Sequence, residues 1–82
     1  MADARQRVEA FLVESLLFGD ESRLPQPDDS LIESGTIDST GVLELIEFLE
    51  EEFHIRVADS ETVPDNLDSV DRIVAFVARK LS

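Results

Sequence analysis

The sequence predicts an all-α fold with three main helices, one short helix and a long first loop. Three segments repeat apolar residues at helical spacing, and the one stretch with strand character, 54–57, has no second strand to pair with. We interpret that stretch as an extended connector. The 82 residues suffice for one domain and leave no room for another, so 1–82 is treated as a single unit.

The first predicted helix covers about residues 3–18. Asp3 has a side chain suited to cap a helix N-terminus, and Gly19 is typical of the position just after a helix. Between them, one face of a 3.6-residue repeat is apolar, formed by Val8, Phe11, Leu12 and Leu16. We expect this face to pack on the core.

A long connection follows, from residue 19 to 38. Pro25 and Pro27 prevent a regular helix there, and a loop of this length is usually functional or pinned by its own side chains. Gly35 permits a positive φ. The predicted pins are Leu31, Ile32 and Ile37. We therefore expect an ordered segment over 29–38 that delivers the chain to the next helix.

The central helix is predicted over about 39–53. Its apolar face is Val42, Leu45, Ile46, Leu49 and Phe53, at i, i+3, i+4, i+7 and i+11. Ser39 stands directly before this pattern and is a suitable N-cap. The other faces of the helix carry glutamates.

Two further helices complete the prediction, a short one over about 59–64 and a last one over about 69–81. Ser69 can cap the last helix, which again carries apolar residues at helical spacing. Arg79 and Lys80 fall in its final turn, where cations suit the negative end of the helix dipole.

Acidic residues dominate the charge: 19 Asp and Glu stand against 7 Lys and Arg, for a net charge of −12. The electrostatic field of this negative charge repels nucleic acid phosphates and anionic lipid head groups, and attracts basic protein surfaces. No apolar run approaches the roughly 20 residues that span a bilayer. The N-terminus leads into an amphipathic pattern instead of a signal-peptide core. We expect a cytoplasmic monomer that binds no nucleic acid and does not insert into membranes.

The acidic residues are unevenly distributed along the chain. No Lys or Arg lies between Arg23 and Arg56, whereas that stretch contains Asp28, Asp29, Glu33, Asp38, Glu44, Glu47, Glu50, Glu51 and Glu52. Glu44, Glu47 and Glu51 fall at i, i+3 and i+7, on one side of the central helix. A solvated surface is the simpler interpretation of these three, and a docking face for basic partners is the functional one.

Few side chains are available for catalysis or metal binding. The sequence has no Cys and a single imidazole, His54, so neither a thiolate metal site nor a catalytic triad around Ser39 can be assembled. The acids at Asp28 and Asp29 lack the alternating ligands, central Gly and terminal Glu of an EF-hand. We expect a protein that is not an enzyme and has no metal site.

Ser39 has a more specific setting than an ordinary helix cap, although a cap alone remains the simpler alternative. A phosphate ester on Ser39 would meet the unpaired N–H groups and the positive dipole end of the helix. Asp38 could help to hold a divalent cation during phosphoryl transfer, and Gly41 would leave space for a bulky substituent.

Together, these segments give the chain a resemblance to the acyl carrier and peptidyl carrier protein family. The matching text is DSLIESG at 29–35, IDS at 37–39 and LIEFLEEEF at 45–53, with SVDRIVAFV at 69–77 near the end. The helix lengths and the long first loop extend the similarity over nearly the whole chain.

The resemblance implies a four-helix bundle and a prosthetic arm. In this family a separate phosphopantetheinyl transferase, using Mg²⁺, moves 4′-phosphopantetheine from coenzyme A to a serine, and the matching position is Ser39, preceded by Asp38. The thiol of the arm carries acyl or aminoacyl groups as thioesters, which would account for a chain without Cys. Glu44, Glu47 and Glu51 would dock on Arg and Lys patches of activating ligases and of acyltransferases or synthases.

The sequence departs from the family pattern at three positions. Thr40 stands where a bulky apolar residue is usual, and Gly41 and Glu47 differ from carriers of fatty acid synthesis. The chain is in this respect similar to stand-alone carriers of secondary pathways, including D-alanyl carrier-like proteins. Two alternatives to a general acyl carrier stay open: an aminoacyl or D-alanyl-type carrier, and an acidic helical interaction module that is never modified.

Overall fold

Every regular element in the described range, residues 3–81 of the computed structural model, is helical. Four α-helices are present: α1 (Ala4–Phe11), α2 (Ser39–Phe53), α3 (Pro64–Leu67) and α4 (Val70–Leu81). A π-helical turn, Leu12–Leu16, extends α1, and two 3-10 turns cover Glu21–Arg23 and Asp59–Glu61. The predicted all-α bundle with a long first loop is confirmed, and within this range 54–57 is a connector and not a strand.

The core lies where α1 and α2 pack against α4. Its fully buried side chains come from the apolar faces of these helices and include Leu12, Leu45, Leu49, Ile73 and Phe76. Burial of each such side chain contributes roughly 1.5–3 kcal/mol to folding. This shared core fixes the position of α2, whose outer face stays in solvent.

The first helix differs from the prediction of 3–18. Its α-helical part ends at Phe11, after which Leu17 N–H donates to the Leu12 carbonyl at 2.9 Å, a π-type bond. Phe18 and Gly19 then take positive φ values of 55° and 84° and end the helical rotation. Asp3 caps α1 as predicted, because its carboxylate accepts the Gln6 N–H at 2.8 Å.

The short helix does not cover the predicted 59–64. That stretch is divided into the 3-10 turn and α3, and α3 begins at Pro64. The reason is steric: the fixed φ of proline suits the first position of a helix, where its missing N–H has no partner to lose. The cap of α4 is as predicted, since Ser69 Oγ accepts the Arg72 N–H at 3.1 Å.

The carboxyl group of Asp68 pins the long first loop to the start of α4. Its oxygens accept the Ser30 hydroxyl at 2.7 Å and the Ile32 N–H at 3.0 Å. Two of the predicted apolar pins, Leu31 and Ile37, are buried, but Ile32 is 51% exposed, so its side chain does not pin the loop. The Leu31 N–H also donates to the Asp68 backbone carbonyl at 2.8 Å, so hydrogen bonds to Asp68 hold the segment together with the buried Leu31 and Ile37.

We expect Asp68→Ala to lower the free energy of unfolding by about 2 kcal/mol, because hydrogen bonds to a charged acceptor are among the stronger ones in proteins. Urea denaturation measures the change. Asp28→Ala is the matched control, since Asp28 is an exposed acid of the same loop. Equal stability of the two variants would contradict the pinning role.

His54, the single imidazole of the sequence, ends the central helix. It follows the last residue of α2, is exposed, and takes a left-handed conformation with φ 56°. Residues in this conformation commonly end helices.

Candidate functional site

Ser39 is the first residue of α2, and its side chain is exposed. Within residues 3–81 its hydroxyl group makes no hydrogen bond, unlike Ser30 and Ser69, whose hydroxyls hold the fold together. The predicted role of Ser39 as N-cap is wrong. The cap is Asp38, whose Oδ1 accepts the Gly41 N–H at 2.7 Å.

Capping of α2 by Asp38 instead of Ser39 affects what the Ser39 hydroxyl can do. Because Asp38 satisfies the helix end, the Ser39 hydroxyl is left available for reaction at the positive end of a 15-residue helix. The N–H groups of the first turn that have no helical partner lie beside it. A group bearing phosphate at this position would be stabilised by both features.

Gly41 is buried and faces inward, so it does not make room for a substituent on Ser39 as predicted. A Cβ there would lie 3.4 Å from Asp38 Oδ1 and 3.7 Å from side-chain carbons of Ile37 and Leu16. These are ordinary van der Waals distances, so the packing of the helix start does not itself require glycine.

The acids of α2 divide into two groups. Glu50 accepts the Val57 N–H at 2.9 Å, and Glu52 pairs with Arg7 at 3.4 Å, so both have structural partners. Within the described range, no ion pair or hydrogen bond involves the side chains of the predicted docking acids, which are exposed: Glu44, Glu47 and Glu51. Two acids of α2 thus hold neighbouring parts of the fold, the connector and α1, whereas the three predicted docking acids are free to contact a partner.

Sequence reasoning missed two exposed apolar residues close to Ser39. Leu43 is 63% exposed and lies one helical turn after Ser39, and Phe18 is 89% exposed. Phe18 shares a hollow with Asp38 and Thr40, the two neighbours of Ser39 in the chain. Leu43 could have been found, because it falls outside the apolar stripe of the central helix. Phe18 had no such signal, because its exposure depends on the π-helical turn.

Hollows of different size lie near the start of α2, and the open one lined by Phe18, Asp38 and Thr40 has a volume of about 450 Å³. A hollow of about 100 Å³ lies between the loop, α2 and α3, lined in part by Ile32, Val42 and Val63. Ligand-enclosing pockets usually start near 300 Å³. In the described residues, no group of three or more acidic or imidazole side chains is placed to hold a metal ion. None of the helices in this range has the length and apolar character required to cross a membrane.

A small helical bundle with an exposed serine at the start of its central acidic helix is the arrangement expected of a carrier protein. A D-alanyl carrier protein of Streptococcus sanguinis (strain SK36) is 38% identical over 66 residues, which cover 80% of this chain and 81% of the relative. No family model matches the chain. The chain belongs to the carrier protein family and is similar to its stand-alone D-alanyl members. As a carrier protein it is not an enzyme.

Proposed function

We propose that the protein carries a small acyl or aminoacyl group as a thioester on a 4′-phosphopantetheine arm attached to Ser39. The observation that supports this most is the free, exposed Ser39 hydroxyl beside a helix cap made by another residue. Attachment would proceed by attack of that hydroxyl on the β-phosphate of coenzyme A, forming a phosphodiester and releasing adenosine 3′,5′-bisphosphate. Mg²⁺ would act with the transferase, and Asp38 would support it.

The cargo we propose is short and polar, with an aminoacyl group as the first candidate. The name of the relative specifies D-alanine as its cargo. The hollow of about 100 Å³ between the loop, α2 and α3 supports a short cargo, because a long alkyl chain would have to displace packed side chains to be buried there. Its partners would be a phosphopantetheinyl transferase, an activating ligase and an enzyme that removes the cargo, all acting in the cytoplasm.

The lack of Cys makes arm attachment directly measurable. We expect the purified chain to contain no maleimide-reactive thiol, and to gain one thiol per chain after incubation with coenzyme A, Mg²⁺ and a broad-specificity phosphopantetheinyl transferase. Reactions without coenzyme A or without transferase are the controls. A chain that gains no thiol would be the unmodified interaction module.

A further inference from the structure

The hollow of about 100 Å³ between the loop, α2 and α3 has one wall that is held less by burial than the others. The α2 wall belongs to a helix whose Leu49 is fully buried, and the loop wall is bonded to Asp68. In the third wall, 62–67, the buried residue is Leu67, while Val63 is 39% exposed. Movement of this third wall is therefore the least costly way to enlarge the hollow.

Three of the seven Lys and Arg residues of the chain contact this wall from α4. They lie on one side of the helix, at i, i+7 and i+8, and we call them the α4 brace: Arg72, Arg79 and Lys80. The first donates to the Pro64 carbonyl at 3.3 Å, and the second donates to Asn66 Oδ1 at 2.8 Å. The ammonium group of the third lies 2.9 and 3.2 Å from the two carboxylate oxygens of Glu61. The brace thus spans about 12 Å along α4.

Glu61 connects the brace to the backbone on both sides of it. Its carboxylate also accepts the Ala58 N–H at 3.0 Å, and its carbonyl accepts the side-chain amide of Asn66 at 2.9 Å. The Ala58 N–H and, next, the Lys80 ammonium lower the pKa of Glu61, so the carboxylate is charged at neutral pH. The side chains of this ion pair are only 26% and 30% exposed, so water screens it less than a fully exposed pair. The α4 brace therefore holds a segment that is also bonded within itself.

The core positions two of the brace cations. Arg79 Cζ lies 5.9 Å and Lys80 Nζ 6.0 Å from the centroid of the Phe76 ring, which is 2% exposed. Cations at this distance are attracted to an aromatic ring. The helix dipole alone would favour cations in the last turn of α4, but it would not require them to contact residues 61–66. Their defined positions indicate a role in holding that segment.

We propose that the α4 brace holds residues 61–66 against α4 and thereby keeps the hollow too small for a long acyl chain. The three cations contact no cargo and are positioning residues for the wall. With the brace intact, a long alkyl chain stays outside the bundle. With the brace released, the wall can retreat, and the chain can enter between Val42 and Val63, which face the hollow from α2 and from the wall. The effect on cargo rests on the proposed function, whereas the brace itself does not.

Amide hydrogen exchange in the full-length, unmodified chain measures how firmly the wall is held. The reporters are the N–H groups of Leu67 and Asp68, which donate to the carbonyls of Val63 and Pro64 at 3.1 and 2.9 Å. These bonds must open for exchange, so their exchange rates follow local opening of α3. Amides in the middle of α2 report any general loss of stability.

Replacement of two brace cations, Arg79→Gln with Lys80→Gln, is expected to speed exchange at the reporters at least roughly tenfold, with α2 unchanged. Glutamine is a good helix former, so α4 should persist. Glu61→Gln removes the charge on the other side of the ion pair and should act in the same direction. Arg5→Gln with Arg7→Gln is the matched control, because it removes two paired cations from α1 and leaves the brace intact.

Cargo of two lengths tests the effect on the hollow. The broad-specificity transferase attaches the arm from octanoyl-coenzyme A or from acetyl-coenzyme A, and ¹H–¹⁵N spectra of the two products are compared. In the wild type and in the control, we expect the two spectra to coincide at residues that line the hollow, such as Val42, Val63 and Leu67. In the double brace variant, the octanoyl arm should shift these amides and the acetyl arm should not.

Three results would overturn the inference. The first is exchange at the reporters that is no faster in the double brace variant than in the control. The second is coincidence of the octanoyl and acetyl spectra in the double brace variant. The third is a difference between those spectra already in the wild type, because the brace would then not limit the cargo. A chain that gains no arm removes the proposed function instead, and the exchange measurement still decides whether the brace holds the wall.

Discussion

Ser39→Ala is expected to abolish arm attachment and to leave stability within about 0.5 kcal/mol of the wild type. The hydroxyl is the proposed nucleophile, so its removal leaves no atom to receive the phosphate. Stability is preserved because the helix cap belongs to Asp38 and the Ser39 hydroxyl is exposed. Alanine is also a good helix former. Maleimide labelling after the transferase reaction measures the first effect, and urea denaturation measures the second.

Thr40→Ala is the control for this variant. Thr40 carries the adjacent exposed hydroxyl at the same helix end, and its loss should leave labelling unchanged. A thiol gained by Ser39→Ala would place the arm elsewhere. A large loss of stability in the same variant would mean that the serine has a structural role that its contacts do not indicate.

Reversal of two charges, Glu44→Lys with Glu47→Lys, is expected to lower kcat/KM for arm transfer at least roughly tenfold at low salt. Both side chains are exposed and make no ion pair within residues 3–81, so folding should be unaffected. The physical cause is the loss of long-range attraction to basic enzyme surfaces, which acts mainly on the association rate. The difference from the wild type should shrink as salt screens the charges.

A control with the same net charge separates local docking from the overall field. Glu21→Lys with Asp59→Lys changes the charge equally at two exposed positions outside α2. We expect this variant to retain most of the wild-type rate. If both double variants slow transfer equally, the acids of α2 have no special role and the net charge alone guides association.

Periodicity predicted the parts of the fold that depend on apolar burial. The stripes of the first, central and last helices correspond to buried faces in the structure, because one face of each helix must be removed from water. Helix ends were less predictable, since they depend on which of two neighbouring polar groups makes a hydrogen bond. Asp38 and Ser39 are both suitable caps, and only the geometry shows that the carboxylate takes that role.

The rest of the site depends on local backbone geometry that residue patterns do not encode. The π-helical turn after Phe11 has no sequence signal, yet it places Phe18 in solvent next to the hollow beside Asp38. Helical spacing places Glu44, Glu47 and Glu51 on one side of α2, but it does not show which glutamates of the helix have partners. Their division into paired and available groups follows from contacts with Arg7 and the Val57 backbone, which are distant along the chain.

Peptide mapping by tandem mass spectrometry locates the arm directly. The full chain is incubated with coenzyme A, Mg²⁺ and the broad-specificity transferase, and is then digested and sequenced. We predict a single 4′-phosphopantetheine on Ser39, with the neighbouring hydroxyl of Thr40 unmodified. An unmodified chain, or an arm on any other residue, would contradict the assignment of Ser39 as the attachment site.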